Sequence, residues 1–570
     1  MFGFYVANCS STAGDAVLEG GMHLQYGDVQ FVYHPMPKFE QDKLFYEDND
    51  KIVLLDGVIF NKQELMEGKA GNWREAFETL YQSDHETFFN ALRGSFCGVV
   101  MDKQRKSVCA FTNHSGEKTI YYTVQASLFV VASHNNILTE ILRENNLSVQ
   151  PDLTACKELV ALGSILHGKT PFQKVRRVTA GKYVKLINGQ SEEFRYHMFH
   201  NVPEYDLTLE ECIEELDKRF RKAVDRIFSK NKEYGYQGEC DLSGGLDSRM
   251  VTWIAHELGY QDILNVCYCQ SGNLDHIISK KIAKKLGNPY FFLPMDGGDL
   301  LTDVDEVVGI LGGQESYIVS TGANRAIQSI YKKYPRIGLT AMGLWGEALK
   351  ANCVIGNAHT CPDMKYRYSD IVPLELDDEV KQDYETYEQM CFYEYGASFI
   401  LSSMLVRQQL FEVMTPNVDV EYLEFVYRLP VEYRKDGRLL CAWITKKYPE
   451  AAKFVWQTTR KPVDKSYNHQ IYWPKVAGDL RRFCVRCINK VGRILRLPIQ
   501  ISQRTDMNPF DLWYRTNPSL QEFITGYYEK NISRVEDPVL LHILTETFNK
   551  GAARDKLQVI NLLAVYKRYF

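Results

Sequence analysis

The chain lacks any apolar run as long as a membrane span, and its start, Met1-Phe2-Gly3-Phe4-Tyr5-Val6-Ala7, lacks a basic stretch ahead of an apolar core. Neither a spanning helix nor a secretory leader is therefore expected, and the expected location is the cytoplasm. An excess of positive charge is also missing: 67 Lys and Arg stand against 72 Asp and Glu, a net charge of -5, which argues against a general nucleic-acid binder. Clustered cysteines are absent. The fourteen present are scattered, many inside apolar stretches such as Val266-Cys267-Tyr268-Cys269, as suits reduced thiols used as small hydrophobes. Cys484-Val485-Arg486-Cys487 has no second pair and no histidine at ligand spacing, which sets zinc and redox chemistry aside.

What is present is 570 residues with 45% hydrophobic and 24% charged content, enough for two to four soluble domains. The first 190 residues are rich in short strands, at 30–33, 51–60, 96–101, 106–112, 119–124 and 128–132, with a helix at 73–82. From 207 to 228 the period becomes helical, with Ile213, Leu216, Phe220, Val224 and Ile227 on one face. Strands at 236–242, 263–269, 290–293 and 337–341 then alternate with helices at 250–258, 277–286 and 323–331, the pattern of a parallel sheet covered on both faces. Beyond about residue 370 the signals are mainly helical.

The most informative stretch is Ser243-Gly244-Gly245-Leu246-Asp247-Ser248, between a strand and a helix. Free N–H groups at a helix start favour phosphate, glycines let the backbone approach, and Ser243 and Ser248 supply donors. Asp247 would repel bare phosphate, so its natural use is to hold magnesium. No lysine follows the glycines, so this is not the loop used for γ-phosphate transfer; its order looks like that of enzymes cutting ATP between the α and β phosphates.

Taken with the domain order, these residues make the chain resemble the asparagine synthetase family, whose members join a glutaminase domain to an ATP-using synthetase domain. Asp275, the helix end Ile282-Ala283-Lys284-Lys285-Leu286-Gly287, Thr415-Pro416-Asn417-Val418-Asp419, Arg428-Leu429-Pro430 and Arg460-Lys461-Pro462 are similar to later landmarks of that family. Leu55-Asp56-Gly57-Val58-Ile59-Phe60-Asn61 and Leu92-Arg93-Gly94-Ser95-Phe96 resemble its glutaminase strands. The resemblance implies a mixed α/β and α+β fold. Residues 1–190 would form a layered αββα domain of the Ntn-hydrolase kind, and 205–570 a doubly wound, HUP-like ATP-pyrophosphatase domain with helical additions.

The resemblance also assigns roles. Leu242, Ser243, Gly244, Gly245, Leu246, Asp247 and Ser248 would hold ATP and its pyrophosphate, with Tyr268, Thr340 and Gly343 nearby. Asp247 and Glu347 would hold Mg2+, and Lys461, with Lys465 as competitor, would be the catalytic lysine. The implied reaction is adenylation of a carboxylate on a small molecule, glycan or peptide, opened by ammonia or another amine to an amide. A homodimer is compatible with this reading.

Two departures stand out. Phe2 occupies the place of the family's nucleophilic cysteine and can neither attack an amide nor be replaced in position by Cys9, the nearby thiol; Val58 replaces a glutamate. A glutaminase domain without glutaminase activity is expected. Met342, Leu344 and Trp345 stand where small and acidic residues are usual, so an inactive nucleotide-binding scaffold remains an alternative, as does a lactam-forming cyclase, a kind of family member that lacks the cysteine. Finally, 481–497 carries Arg482, Arg486, Lys490, Arg493 and Arg496 opposite Phe483, Cys484, Ile488, Val491 and Leu495. That stripe suits peripheral contact with an anionic membrane, or a surface helix docked by its apolar side.

Overall fold

The computed structural model describes residues 1–67, 71–353, 356–360, 364, 366–467 and 506–570, with Cys484, Cys487, Ile488 and Val491 between the last two spans. Apart from those four, the basic segment 481–497 lies outside the described residues, and so does any contact it makes.

Two six-stranded antiparallel sheets fill the N-terminal third. One runs, in spatial order, Arg176–Arg177, Tyr121–Gln125, Leu128–Ala132, Gly3–Ala7, Val29–His34 and Met22–Tyr26; the other runs Gln190–Arg195, Lys182–Ile187, Ser107–Thr112, Gly94–Asp102, Lys51–Ile59 and Leu44–Glu47. Strand alternation explains how they stack. Phe4 and Val6 pack against Ile52 and Leu54 of the opposite sheet, while Tyr5 and Ala7 turn outward to Ile137, Leu138 and Ile141 of the helix Asn135–Glu144. On the other side Val53 and Leu55 meet Trp73, Ala76 and Phe77 of the helix Trp73–Ser83. The result is helix, sheet, sheet, helix. Both faces of Lys51–Ile59 are covered, which is why it reads as an almost continuous apolar run.

The second unit opens with the helix Leu209–Glu233, whose Thr208 and Glu211 form a reciprocal N-terminal cap. It extends five residues past the predicted end. Its last polar residues are buried by distant partners: Lys230 reaches Asp42 at 3.0 Å, and the Asn231 amide pairs with both backbone groups of Leu339. Five parallel strands follow, Gln237–Asp241, Leu264–Cys269, Tyr290–Pro294, Ile337–Ala341 and Glu412–Met414. Numbered along the chain, their spatial order is 3-2-1-4-5. The order reverses beside the first strand, and the loop after Asp241 opens at the carboxyl edge of that reversal, where open α/β sheets hold ligands. The last strand, three residues long, was not foreseen. It lies in the region read as helical, and three residues give too little periodicity to detect.

Among the described residues no helix is long and apolar enough to cross a membrane, and every cysteine is a free thiol.

Candidate active site

Ser243 to Leu246 bridge the strand Gln237–Asp241 and the helix Asp247–Glu257, so Asp247 and Ser248 sit in that helix's first turn. No side chain caps this helix, which leaves its amino end open to an acceptor. The loop shapes itself: Ser243 N–H donates to Ser248 Oγ at 3.1 Å, and Gly245 N–H to Ser243 Oγ at 3.1 Å. Gly244 N–H is committed to Asp275 Oδ1 at 2.8 Å, and burial pushes the Asp275 carboxyl above its usual range. Asp275 thus fastens the loop to the start of the helix Leu274–Leu286, a contact that sequence alone did not reveal.

The 342–347 loop lies directly on this turn. A Cβ at Gly343 would meet Ser248 N at 2.4 Å, and one at Gly346 would meet the Asp247 carboxyl at 2.2 Å, so both positions need glycine for close approach. The residues that looked out of place are anchors. Trp345 is buried, with φ of 62°, and donates its indole N–H to Tyr427 Oη at 3.1 Å. The Leu344 carbonyl oxygen accepts from Thr415 Oγ1 at 2.8 Å and Asn417 Nδ2 at 2.9 Å, and Met342 N–H pairs with the Met414 carbonyl.

Asp247 does not stand alone. Lys350 Nζ lies 2.5 Å from Asp247 Oδ2 and 3.4 Å from Glu347 Oε2, so one ammonium joins the two carboxylates expected to hold metal. Burial disfavours that charge, but Asp247 and Glu347 overcome it and hold Lys350 above the ordinary lysine range. The local signal was the i,i+3 spacing of Glu347 and Lys350 on one helical turn; Asp247 is 103 residues away. Two hard oxygen donors on adjoining segments, already holding a cation between them, fit magnesium. Among the described residues no group of three or more His, Cys, Asp or Glu could hold a metal.

Lys461 is exposed on the short hairpin Val455–Trp456/Lys461–Pro462, paired opposite Trp456. This hairpin is fastened to the loop: Gln457 N–H donates to the Gly244 carbonyl at 3.2 Å. Buried Arg249 donates to the carbonyl oxygens of Gly244, Ala451, Phe454 and Val455 at 2.7 to 3.3 Å. Lys465 lies on the following helix Val463–Tyr467 and is exposed. Tyr268 donates to Asp241 Oδ2 at 3.1 Å, and Asp241 is held at 2.6 Å by both oxygens on fully buried Arg407, which also reaches Glu239. Thr340 is buried with its hydroxyl on the Glu412 carbonyl oxygen at 3.3 Å, so that side chain is committed to the sheet. The structure therefore gathers the loop, Gly343, Asp247, Glu347 and the Lys461 hairpin around one helix start. A separate cleft, lined by Phe228, Lys232, Tyr236, Tyr260 and Arg336, opens at the amino ends of the same strands, on the wrong side for the loop.

In the N-terminal unit Phe2 stacks edge-on against His34 with ring centroids 5.2 Å apart, and Val58 is fully buried. Burial raises the Cys9 thiol above its usual range, and Asn145 Nδ2 only partly offsets this, which disfavours its thiolate form.

Residues 37–197 match the glutamine amidotransferase domain family. The chain is 25% identical over 223 residues to Amidase chyE of Penicillium rubens, covering 37% of this chain and 32% of that protein. It is 24% identical over 288 residues to a glutamine-hydrolysing asparagine synthetase of Sandersonia aurantiaca, covering 47% of this chain and 48% of that protein. The matches thus span about a third to a half of these relatives. Among solved structures, an allosteric regulatory enzyme of purine biosynthesis (10% identity, 51% of this chain, 74% of that one) has a TM-score of 0.24. The Bacillus subtilis glutamine phosphoribosylpyrophosphate amidotransferase (12% identity, 78% and 97%) has the same TM-score of 0.24, and neither likeness bears on the site. The chain accordingly carries an Ntn-type glutamine amidotransferase domain in its N-terminal third and has a distant likeness to asparagine synthetase.

Proposed function

We propose that this protein is an ATP-dependent, amide-forming ligase that activates a carboxylate as its adenylate and lacks glutaminase activity. The observation that carries this reading is the Ser-Gly-Gly-Leu-Asp-Ser turn at the carboxyl edge of the parallel sheet, with an uncapped helix start and a lysine hairpin bonded to it. The second unit is then a HUP-like ATP-pyrophosphatase domain. ATP lies with its phosphates on the turn, beside Ser243, Ser248 and the open N–H groups. Substrate carboxylate oxygen attacks the α-phosphorus, the bond to the β-phosphate bridging oxygen breaks, and pyrophosphate leaves. The resulting acyl-adenylate is opened by an amine nitrogen, which loses a proton as AMP departs. Lys461 supplies positive charge where negative charge grows in these steps. Magnesium, when bound by Asp247 and Glu347, neutralises phosphate charge. Amine nitrogen comes from free ammonia or from a second substrate, because Phe2 offers neither thiolate nor thiol-paired amine.

Release of pyrophosphate that depends on a carboxylate and an amine, with aspartate and ammonia as the first pair, tests this function. Incubation with glutamine should release no glutamate above a heat-killed control. One observation favours a second reading, a scaffold without catalysis: Lys350 occupies Asp247. Magnesium-ATP binding with no pyrophosphate release from any carboxylate would select it.

A further inference from the structure

We propose that Lys350 is a phosphate-binding residue that changes partners: it clamps Asp247 before nucleotide binds and turns to the pyrophosphate part of ATP when magnesium takes Asp247. This rests on the nucleotide-site reading above.

The charge balance of the turn points to it. A nucleotide triphosphate would arrive beside two carboxylates, Asp247 and, bonded to Gly244 N–H, Asp275. The arginines nearby are spent. Arg249 gives its donors to four backbone carbonyls, and Arg407 is held by Asp241 and Glu239 at the end of the first strand. Lys350 is the cation already placed on the first turn of the helix that would receive phosphate, and its contacts are two side-chain carboxylates. Those carboxylates are the oxygens a divalent ion would take. If magnesium takes them, the ammonium is released beside the phosphates it can neutralise, on a flexible four-carbon stem that needs only a rotation. Both states are balanced: Lys350 on Asp247 without nucleotide, magnesium on Asp247 and Lys350 on phosphate with it. The support is firm enough to keep the ammonium there. Its short helix, Glu347–Lys350, ends at Ala351 in a left-handed conformation (φ 52°), and Asn352 Nδ2 holds Glu347 Oε2 at 3.1 Å.

Calorimetric titration of the full chain with inorganic pyrophosphate, with and without magnesium, tests the exchange. Lys350→Met keeps the stem and removes the charge. Its pyrophosphate affinity in magnesium should fall roughly tenfold or more, the loss of a charge-assisted hydrogen bond. Magnesium alone should bind it more tightly than the wild type, because Asp247 and Glu347 have lost their competing cation. Asp247→Asn should act oppositely. With chelator present it frees Lys350 and should bind pyrophosphate more tightly than the wild type, which keeps the proposal open to refutation even if Lys350→Met fails to fold. Unchanged pyrophosphate and magnesium affinities in a folded Lys350→Met would make Lys350 a structural clamp and overturn the proposal while leaving the nucleotide site standing. A wild type that binds neither magnesium-ATP nor pyrophosphate would overturn both.

Discussion

Asp247 and Lys461 divide the expected work at the level of single residues. On the proposed function, Asp247→Asn should abolish pyrophosphate release while leaving far-UV circular dichroism unchanged, since it alters a partly exposed carboxylate proposed to hold metal rather than a core side chain. An unchanged rate would show that this turn does not carry the metal. Lys461 is exposed on its hairpin, so Lys461→Ala removes little packing. If its charge counts mainly in the transition state, kcat should drop roughly a hundredfold or more with little change in KM for ATP. Lys461→Arg should recover only part of the rate, because the guanidinium is bulkier and its charge delocalised. Lys465→Ala is the control and should be nearly silent; reversed behaviour of the two lysines would move the catalytic role to Lys465.

At the scale of elements, the question is what holds a two-strand hairpin over a glycine turn, and the answer is one backbone bond, Gln457 N–H to the Gly244 carbonyl, together with one buried guanidinium. Burial lowers the Arg249 pKa to about 10, and its partners are four carbonyl oxygens, Gly244 on the turn, Val455 on the hairpin, and Ala451 and Phe454 just before the hairpin. Arg249→Met relieves the buried charge, so the thermal midpoint should change little. The hairpin, however, loses its side-chain tie and keeps only the Gln457 backbone bond to Gly244. Pyrophosphate release should fall roughly tenfold or more through misplacement of Lys461, with new proteolytic cleavage near 455–462. A rate equal to wild type would remove Arg249 from the account. The turn between strand and helix was legible in the sequence because its glycines, hydroxyls and carboxylate follow one another in a short local order. Arg249 was not, since a helix with Met250, Val251, Ile254 and Ala255 on one face gives no sign that the preceding arginine is buried beneath a hairpin two hundred residues on. Lys350 was missed for the same reason: its meaning comes from a 103-residue return of the chain. The strand Gly3–Ala7 was missed because its apolar residues face two different layers and so leave no half-polar alternation.

At the scale of the whole molecule, the two units are joined through charge as well as apolar packing. Lys118 lies 3.3 Å from Asp56 and 2.9 Å from Glu412, and Lys43 lies 3.9 Å and 3.7 Å from the same two carboxylates. Asp56 belongs to the inner strand Lys51–Ile59 and Glu412 to the last strand of the parallel sheet, so the lysines bridge the two units. Burial would raise the Asp56 carboxyl, but Lys118, Lys43 and the Tyr33 hydroxyl at 2.7 Å more than offset it and hold it at about 2. A carboxylate depressed in the folded state stabilises the fold above its unfolded pKa of about 3.9, and that contribution is lost as pH falls towards 2. Lys118→Met removes the stronger of the two lysine contacts to each acid while leaving both carboxylates buried. It should therefore cost about 3–5 kcal/mol, the usual penalty for stripping one partner from a buried pair. Because the remaining acids are then held less firmly in their charged form, acid unfolding should begin at a higher pH than in the wild type. If the cluster also couples the units, calorimetry should resolve one transition in the wild type and two in the variant. A single transition with an unshifted acid limb would mean that apolar packing alone joins the units and that the cluster is an incidental feature of the seam.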